Sequence, residues 1–289
     1  MRLGEGWVLE PELRRSLASR LSVELDGKGY IPIPAECKRL KLDVGLSHNA
    51  IHSLAWLKKD SDLFVIGFEP LIENVESILS IIRESHPELS QRFLVVPCAL
   101  GNYSGDLGMF VTTDVGLASF LRPKKFYVSE ERLVPMEKLD SFVGLIEPGR
   151  FSQIDFLKTD CQGTDIEVVR GAARILTQVA LVTVESDSSS YEGSENQESS
   201  ISKVFESEGF VRHNPPSAIQ RAVRVVVGRL PGFLKSWINF THSRLFSKST
   251  NAMSNSGGQT SVNTVDPTWL NPRFESLVYS GEISAAQWN

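Results

Sequence analysis

The sequence predicts an α/β fold: an open, mostly parallel sheet with helices on both faces. Three observations carry this reading. Short apolar runs of strand length recur between residues 39 and 211, segments of helical periodicity separate them, and several runs are apolar throughout. Strands that alternate with helices pair in parallel through helical crossovers, and runs without polar alternation fit strands covered on both sides.

Pro11 to Leu21 reads as a short amphipathic helix, with Pro11 in its first turn and Leu13, Leu17 and Leu21 repeating every four residues. Lys38 to Val44 is a compact strand that ends in a turn at Gly45. Asn49 to Lys58 is helical, with Ile51, Leu54, Ala55 and Leu57 on one face. Leu63 to Phe68 is a second strand stopping at Glu69-Pro70, followed by a helix carrying Val75, Ile78, Leu79 and Ile82. Phe93 to Ala99 is a third buried strand. Gly101 to Leu121, rich in Gly, Thr and Asp with alternating apolar positions, predicts a hairpin decorating the sheet. Ile154 to Thr159 is a fourth buried strand, and Asp160-Cys161-Gln162-Gly163 leads from it into a helix bearing Ile166, Val169, Ala172, Ala173 and Leu176. Val179 to Val184 is a fifth strand, ending at Glu185. Ser186 to Ser200 has loop composition, Ile201 to Glu208 is helical, and Gly209-Phe210-Val211 begins a further strand.

This order divides the chain into an N-terminal helical cap (1–38), a core (39–213), a basic insertion with a linker (214–261) and a final strand with a tail (262–289), in which Val262 to Val265 re-enter the sheet. With 41% apolar and 22% charged residues the chain can build a core. No run approaches the roughly 18 apolar residues of a membrane-spanning helix. The first residues place an acid early and lack an apolar stretch, so no secretory leader is expected. Cys37, Cys98 and Cys161 are too few and scattered for a disulfide framework or zinc cluster, which makes a reducing, cytoplasmic setting the default.

The net charge of −5 is unevenly spread: 209–265 holds seven basic residues and no acid, leaving 23 basic against 35 acidic residues elsewhere. The mixture of apolar and basic residues in 219–248 fits a lid, an oligomer contact or a peripheral helix at an anionic membrane. An acidic body with no recognised module speaks against nucleic acid.

Ligands of an open α/β sheet bind beyond the carboxyl ends of its strands, where the strand order reverses. Acids end four of the predicted strands: Asp43, Glu69, Asp160 and Glu185. The first turn, Gly45-Leu46-Ser47-His48-Asn49-Ala50, lacks a G-x-G-x-x-G pattern and a Lys, which counts against a dinucleotide. An acid ending strand two suits ribose hydroxyls, and an acid near the first turn suits a positive charge. S-adenosylmethionine has both features and no phosphate.

The sequence order Leu-Asp-Val-Gly (42–45), Gly-Phe-Glu-Pro (67–70), Ala-Leu-Gly (99–101), Leu-Asp-Ser (139–141), Asp-Phe-Leu-Lys-Thr-Asp-Cys-Gln-Gly (155–163) and Arg-Gly-Ala (170–172) resembles the FkbM-type methyltransferases. Glu185 and the late Asp266-Pro267-Thr268-Trp269-Leu270-Asn271 fit the same pattern, so the resemblance spans about residues 40–275. It implies a class I methyltransferase-like, Rossmann-like fold and methyl transfer from S-adenosylmethionine, mostly to hydroxyl oxygens of sugars and other small molecules. Leu46, Ser47 and Ala50 replace the family's Ala, Asn and Gly in the first turn, and Gln162 replaces a Glu. A non-catalytic binding or scaffold protein on the same fold is the alternative those departures leave open.

In this reading Asp43, Gly45 and Ser47 hold the methionine end of the cofactor, Glu69 with Pro70 the ribose, and Ala99 and Leu100 the adenine. Asp160 and Glu185 face the acceptor, a small molecule or glycan, as candidate general bases. Asp160 equally fits a helix N-cap, and Asp160 with Glu185 could share one divalent ion. No group has dedicated metal-ligand spacing, so no metal is expected.

Overall fold

The computed structural model describes Leu3 and residues 8–186, 189–213, 266–280 and 282–283. In chain order the elements are α1 (Pro11–Arg20), β1 (Arg39–Val44), α2 (Ile51–Lys59), β2 (Leu63–Phe68), α3 (Ile72–Ser85), β3 (Phe93–Val96), β4 (Ala99–Leu100), β5 (Gly105–Thr112) and β6 (Val128–Glu137). They continue with α4 (Leu139–Phe142), β7 (Ile154–Thr159), α5 (Asp165–Arg170), β8 (Val179–Val184), α6 (Glu198–Ser207), β9 (Val211–Arg212), β10 (Thr268–Leu270) and α7 (Glu275–Ser280).

The apolar runs become the middle of a seven-stranded sheet of order β3-β2-β1-β7-β8-β10-β9. Five of its strands are mutually parallel, and β10 runs antiparallel to both β8 and β9. All six residues of β2, β7 and β8 are buried, which is why these segments carry no polar alternation. Alternate residues feed opposite layers. Leu40, Leu42, Phe64, Ile66 and Phe68 pack with α1, α4, α5 and α6, whereas Val65 and Phe156 pack with α2 and α3. The chain moves outward from β1 to β3 and then returns to place β7 on the other side of β1, so strand order reverses between β1 and β7. The predicted mixed-layer, mostly parallel architecture is the one present.

Three expectations need correction. Pro97 has no N–H for the ladder, and the third strand stops at Val96; Ala99–Leu100 joins a separate three-stranded sheet of order β4-β6-β5. The predicted hairpin within 101–121 is larger, because β5 pairs with β6 across a long loop. The Ser-Glu-Glu-Arg stretch of β6 is exposed, so that strand has no apolar run to announce it. The helix expected through Leu176 ends as α5 at Arg170 and resumes as a short 3-10 turn. The strand expected at 262–265, the basic insertion and the segment 219–248 lie outside the described residues. Among the described residues no helix is long and apolar enough to cross a membrane.

The end of β1 closes tightly onto the end of β7. Gly45 has φ +82°, and a Cβ there would lie 2.0 Å from the Asp160 carbonyl oxygen. Gly45→Ala is therefore expected to lower the unfolding free energy by about 2 kcal/mol or more, read from urea denaturation. Unchanged stability would show that the two strand ends can part at little cost.

Candidate active site

Glu69, Asp160 and Glu185 share one edge because the backbone ladder runs one residue past each strand, whereas Asp43 lies within β1 and Gly45 takes the corresponding place. Glu69 N donates to Val96 O (3.1 Å), Gly45 N to Phe68 O (3.0 Å), Asp160 N to Val44 O (3.0 Å) and Glu185 N to Thr159 O (3.1 Å). The turn after β1 is conformationally demanding: Ser47 and Ala50 have φ +53° and +44°, a region that Gly and Asn enter most easily. Leu46 is buried and faces the core, and it lies where a Cβ on Gly67 would stand, 2.7 Å from Leu46 Cδ1. The first-turn departures thus change the backbone's comfort and the packing beneath the turn.

A cleft with about 620 Å³ of free space, counting its part open to solvent, lies over this edge. Gly45, Ser47, Glu69, Pro70, Ala99, Leu100 and Asp160 all line it, as do Asn74, Cys161 and Gln162. Its far wall comes from β5 and the loop after it, through Met109, Gly116, Ala118 and Phe120. Asp43 and Glu185 are not among the lining residues.

Glu69 is 4% exposed, and its Oε1 accepts from the Leu71 amide and from Asn74 Nδ2, both at 3.1 Å. Burial pushes its pKa up to about 7, although Asn74 and the amides of Leu71 and Ser47 oppose the shift. Asn74, at the start of α3, has no motif in the sequence to signal its part.

Asp43 turns away from the cleft. Its Oδ2 accepts from Ser53 Oγ (2.7 Å) and its Oδ1 lies 3.3 Å from Lys158 Nζ. The positive charge beside Asp43 is therefore the protein's own. Lys158 Nζ also lies 3.5 Å from Asp160 Oδ2 and donates to Gly45 O at 3.3 Å. Burial disfavours its charge, but Asp43 and Asp160 outweigh burial and hold its pKa above the usual ammonium value.

Asp160 has a side chain 34% exposed, and its Oδ1 accepts from Gln162 Nε2 at 2.9 Å. It does not cap α5: Asp165 accepts from the Cys161 amide instead, and Thr164 precedes the helix. Glu185 sits behind Gln162, whose Nε2 is 3.4 Å from Glu185 Oε1. Burial, then Asp160, Asp165 and Asp266, push Glu185 up to about 9. Burial and Asp160 likewise push Asp165 up to about 6. Burial, Asp165 and Asp160 raise the Cys161 thiol well above its ordinary value, which keeps it a packing group. His48 is exposed beside Ser47. Among the described residues no group of His, Cys, Asp and Glu is arranged to hold a metal.

Tyr191 and Asn196, from the stretch read as a polar loop, were not legible as site residues. Tyr191 donates to Gln162 Oε1 (2.7 Å), and Asn196 Nδ2 donates to Glu185 O (3.3 Å) and to the Asp165 carboxyl.

Residues 43–212 match the family model described as the methyltransferase FkbM domain. Among solved structures the chain is similar to the methyltransferase FkbM from Methylobacillus flagellatus KT, at 16% identity over 60% of this chain and 47% of that one, with a TM-score of 0.34. The chain thus spans about half the length of that structure. It is also similar to a human methyltransferase 10 domain containing protein, at 11% identity over 72% of this chain and 93% of that one, with a TM-score of 0.32. No curated protein matches.

The raised carboxyls set a pH dependence of folding. Glu69 (to about 7) and Glu185 (to about 9) hold protons in the folded chain at pH values where the unfolded chain has lost them. Above pH ~6.5, where an ordinary histidine holds at most half a proton, Glu69 and Glu185 leave the folded state with more bound protons and stability falls as pH rises. Lys41, lowered to about 8 by burial, works in the opposite sense only near and above that pH. The melting temperature is expected to drop from pH ~6.5 to ~7.5, and Glu69→Gln to gain about 1–3 kcal/mol at the higher pH. A melting temperature that rises across this window would contradict the assignment.

Proposed function

The chain belongs to the FkbM methyltransferase domain family; from this premise we propose that it is a methyltransferase that transfers the methyl group of S-adenosylmethionine to a hydroxyl oxygen of a sugar, glycan or other small molecule. The observation that carries the cofactor is Glu69, a buried carboxyl at the end of β2 that lines the cleft. Ribose hydroxyls would supply donors and favour its ionised form. Gly45, with no Cβ beside the Asp160 backbone, and the Ser47 turn would hold the methionine end, and Ala99 and Leu100 would wall the adenine. When bound, S-adenosylmethionine supplies a methyl on a sulfonium that is already a good leaving group.

Asp160 is the residue of the acid cluster that reaches the cleft, and we assign it the acceptor's proton. Lys158 on its Oδ2 and Gln162 on its Oδ1 hold the carboxyl in place at the cleft. Glu185, protonated at neutral pH behind Gln162, has no free base to offer and is not a second base. Asp43 supports the turn through Lys158 and Ser53. The free thiols Cys37, Cys98 and Cys161 support a reducing, cytoplasmic place of action.

Calorimetric titration with S-adenosylhomocysteine is expected to show micromolar binding that strengthens from pH ~6 to ~8 as Glu69 ionises, with a loss of about tenfold or more in Glu69→Ala. Asp160→Asn is expected to keep that binding while slowing transfer to hydroxyl acceptors by about 100-fold or more. Unchanged affinity in Glu69→Ala would remove the cofactor assignment.

A further inference from the structure

Gln162 stands in a backbone conformation that a residue with a side chain enters at a cost. Its φ is +52° and Gly163 follows at +97°. The turn is fastened on both sides: Ser119 Oγ donates to Gln162 O (2.8 Å) and Ser194 Oγ to Gly163 O (3.0 Å). The result is to aim the Gln162 amide at two carboxyls. Its Nε2 donates to Asp160 Oδ1 at 2.9 Å and to Glu185 Oε1 at 3.4 Å, which uses both of its N–H groups. Its Oε1 accepts from the Tyr191 hydroxyl at 2.7 Å, which fixes which end of the amide points where.

We infer that Gln162, anchored by Tyr191, is a positioning residue that orients Asp160 for proton transfer. The inference rests on the methyl-transfer reading above. A neutral amide is the group this place calls for. A carboxylate at 162 would add an acid to Asp160 and Glu185, and an ammonium would hold both as ion pairs and quench a base. The amide holds the Asp160 carboxyl in place without competing for its proton.

The groups around the pair come from every neighbouring element. Lys158 reaches Asp160 from β7 and Asp43 reaches Lys158 from β1. His52 of α2, Cys161, Asp165 of α5 and Asp266 before β10 act on the same cluster. Glu185, held up to about 9 by burial and by the acids around it, keeps its proton at neutral pH, consistent with a pair that carries one. Tyr191 is 1% exposed and belongs to a loop stitched to the cleft's far wall. Lys124 N donates to Ser190 O and Glu192 N to Arg122 O, both at 2.9 Å. The Tyr191 hydroxyl also lies 3.1 Å from Leu117 O.

The test compares S-adenosylmethionine with S-adenosylhomocysteine, which lacks the sulfonium charge, by calorimetry at pH ~7.5. The ratio of the two affinities reads how well the Asp160 carboxyl is aimed at the cleft. Gln162→Met keeps the length and removes the donors, and should cut the preference for the sulfonium ligand by about threefold or more. Tyr191→Phe should cut it by less, and it decides the matter should Gln162→Met fail to fold. Variants that weaken both ligands equally, with the preference in place, would make the two residues loop supports and overturn the inference. A wild type that binds neither ligand would overturn the cofactor reading and the inference together, whereas a preference left untouched by both variants overturns the inference alone.

Discussion

Lys158 carries an ammonium into the centre of the sheet, where its side chain is 2% exposed, and the edge of the sheet is organised around making that charge tolerable. Taking such a group out of water costs several kcal/mol, and the cost is recovered only with good partners on every side. Register supplies them. Asp43 of β1 lies directly opposite Lys158 of β7, Asp160 follows two residues later, and the Gly45 carbonyl closes the set. An ammonium has three N–H groups, and three oxygens stand within 3.5 Å of it. The glycine at 45 belongs to the same constraint, because only a residue without Cβ lets its carbonyl and the Asp160 backbone come this close.

From this pairing follows a separation of roles among the acids. Asp43 is consumed by Lys158 and Ser53. Asp160 shares the lysine and still reaches the cleft. Glu185 and Asp165, farther from the cation and surrounded by other acids, hold their protons to higher pH. Glu69 stands apart on β2, its pKa governed by burial more than by charge. One buried cation thus draws Asp43 and Asp160 together at the strand ends, while Glu185, set behind Gln162, keeps its proton at neutral pH.

The sheet was legible because β2 and β8 are apolar almost throughout and because β1, β2, β7 and β8 each have an acid at or near their carboxyl end. The second sheet was not, since β6 is solvent-exposed over its Ser-Glu-Glu-Arg stretch and β4 is two residues long. Positions of the site residues along the chain were readable, but their directions were not. Asp43 alternates onto the face where Lys158 waits, a fact of register that no single segment contains. Glu185 lies one layer behind Gln162 for the same reason. Asn74 and Tyr191 act through side chains whose partners are five and 29 residues away, so local patterning holds no trace of them. The left-handed turn residues Ser47 and Ala50 show the reverse case, where the sequence departs from an expected pattern and the backbone keeps the shape that pattern would favour.

The central claim is that the cofactor lies between Glu69 and Asp160 across the β1–β7 reversal. A crystal structure with S-adenosylhomocysteine tests it most directly. The account predicts ribose hydroxyls on Glu69, the homocysteine arm against Gly45 and Ser47, and the sulfur turned toward the Asp160 side of the cleft. The ligand bound elsewhere, for instance in the groove formed by Ile31, Ile33, Phe64 and Phe93 at the opposite end of the strands, would contradict it.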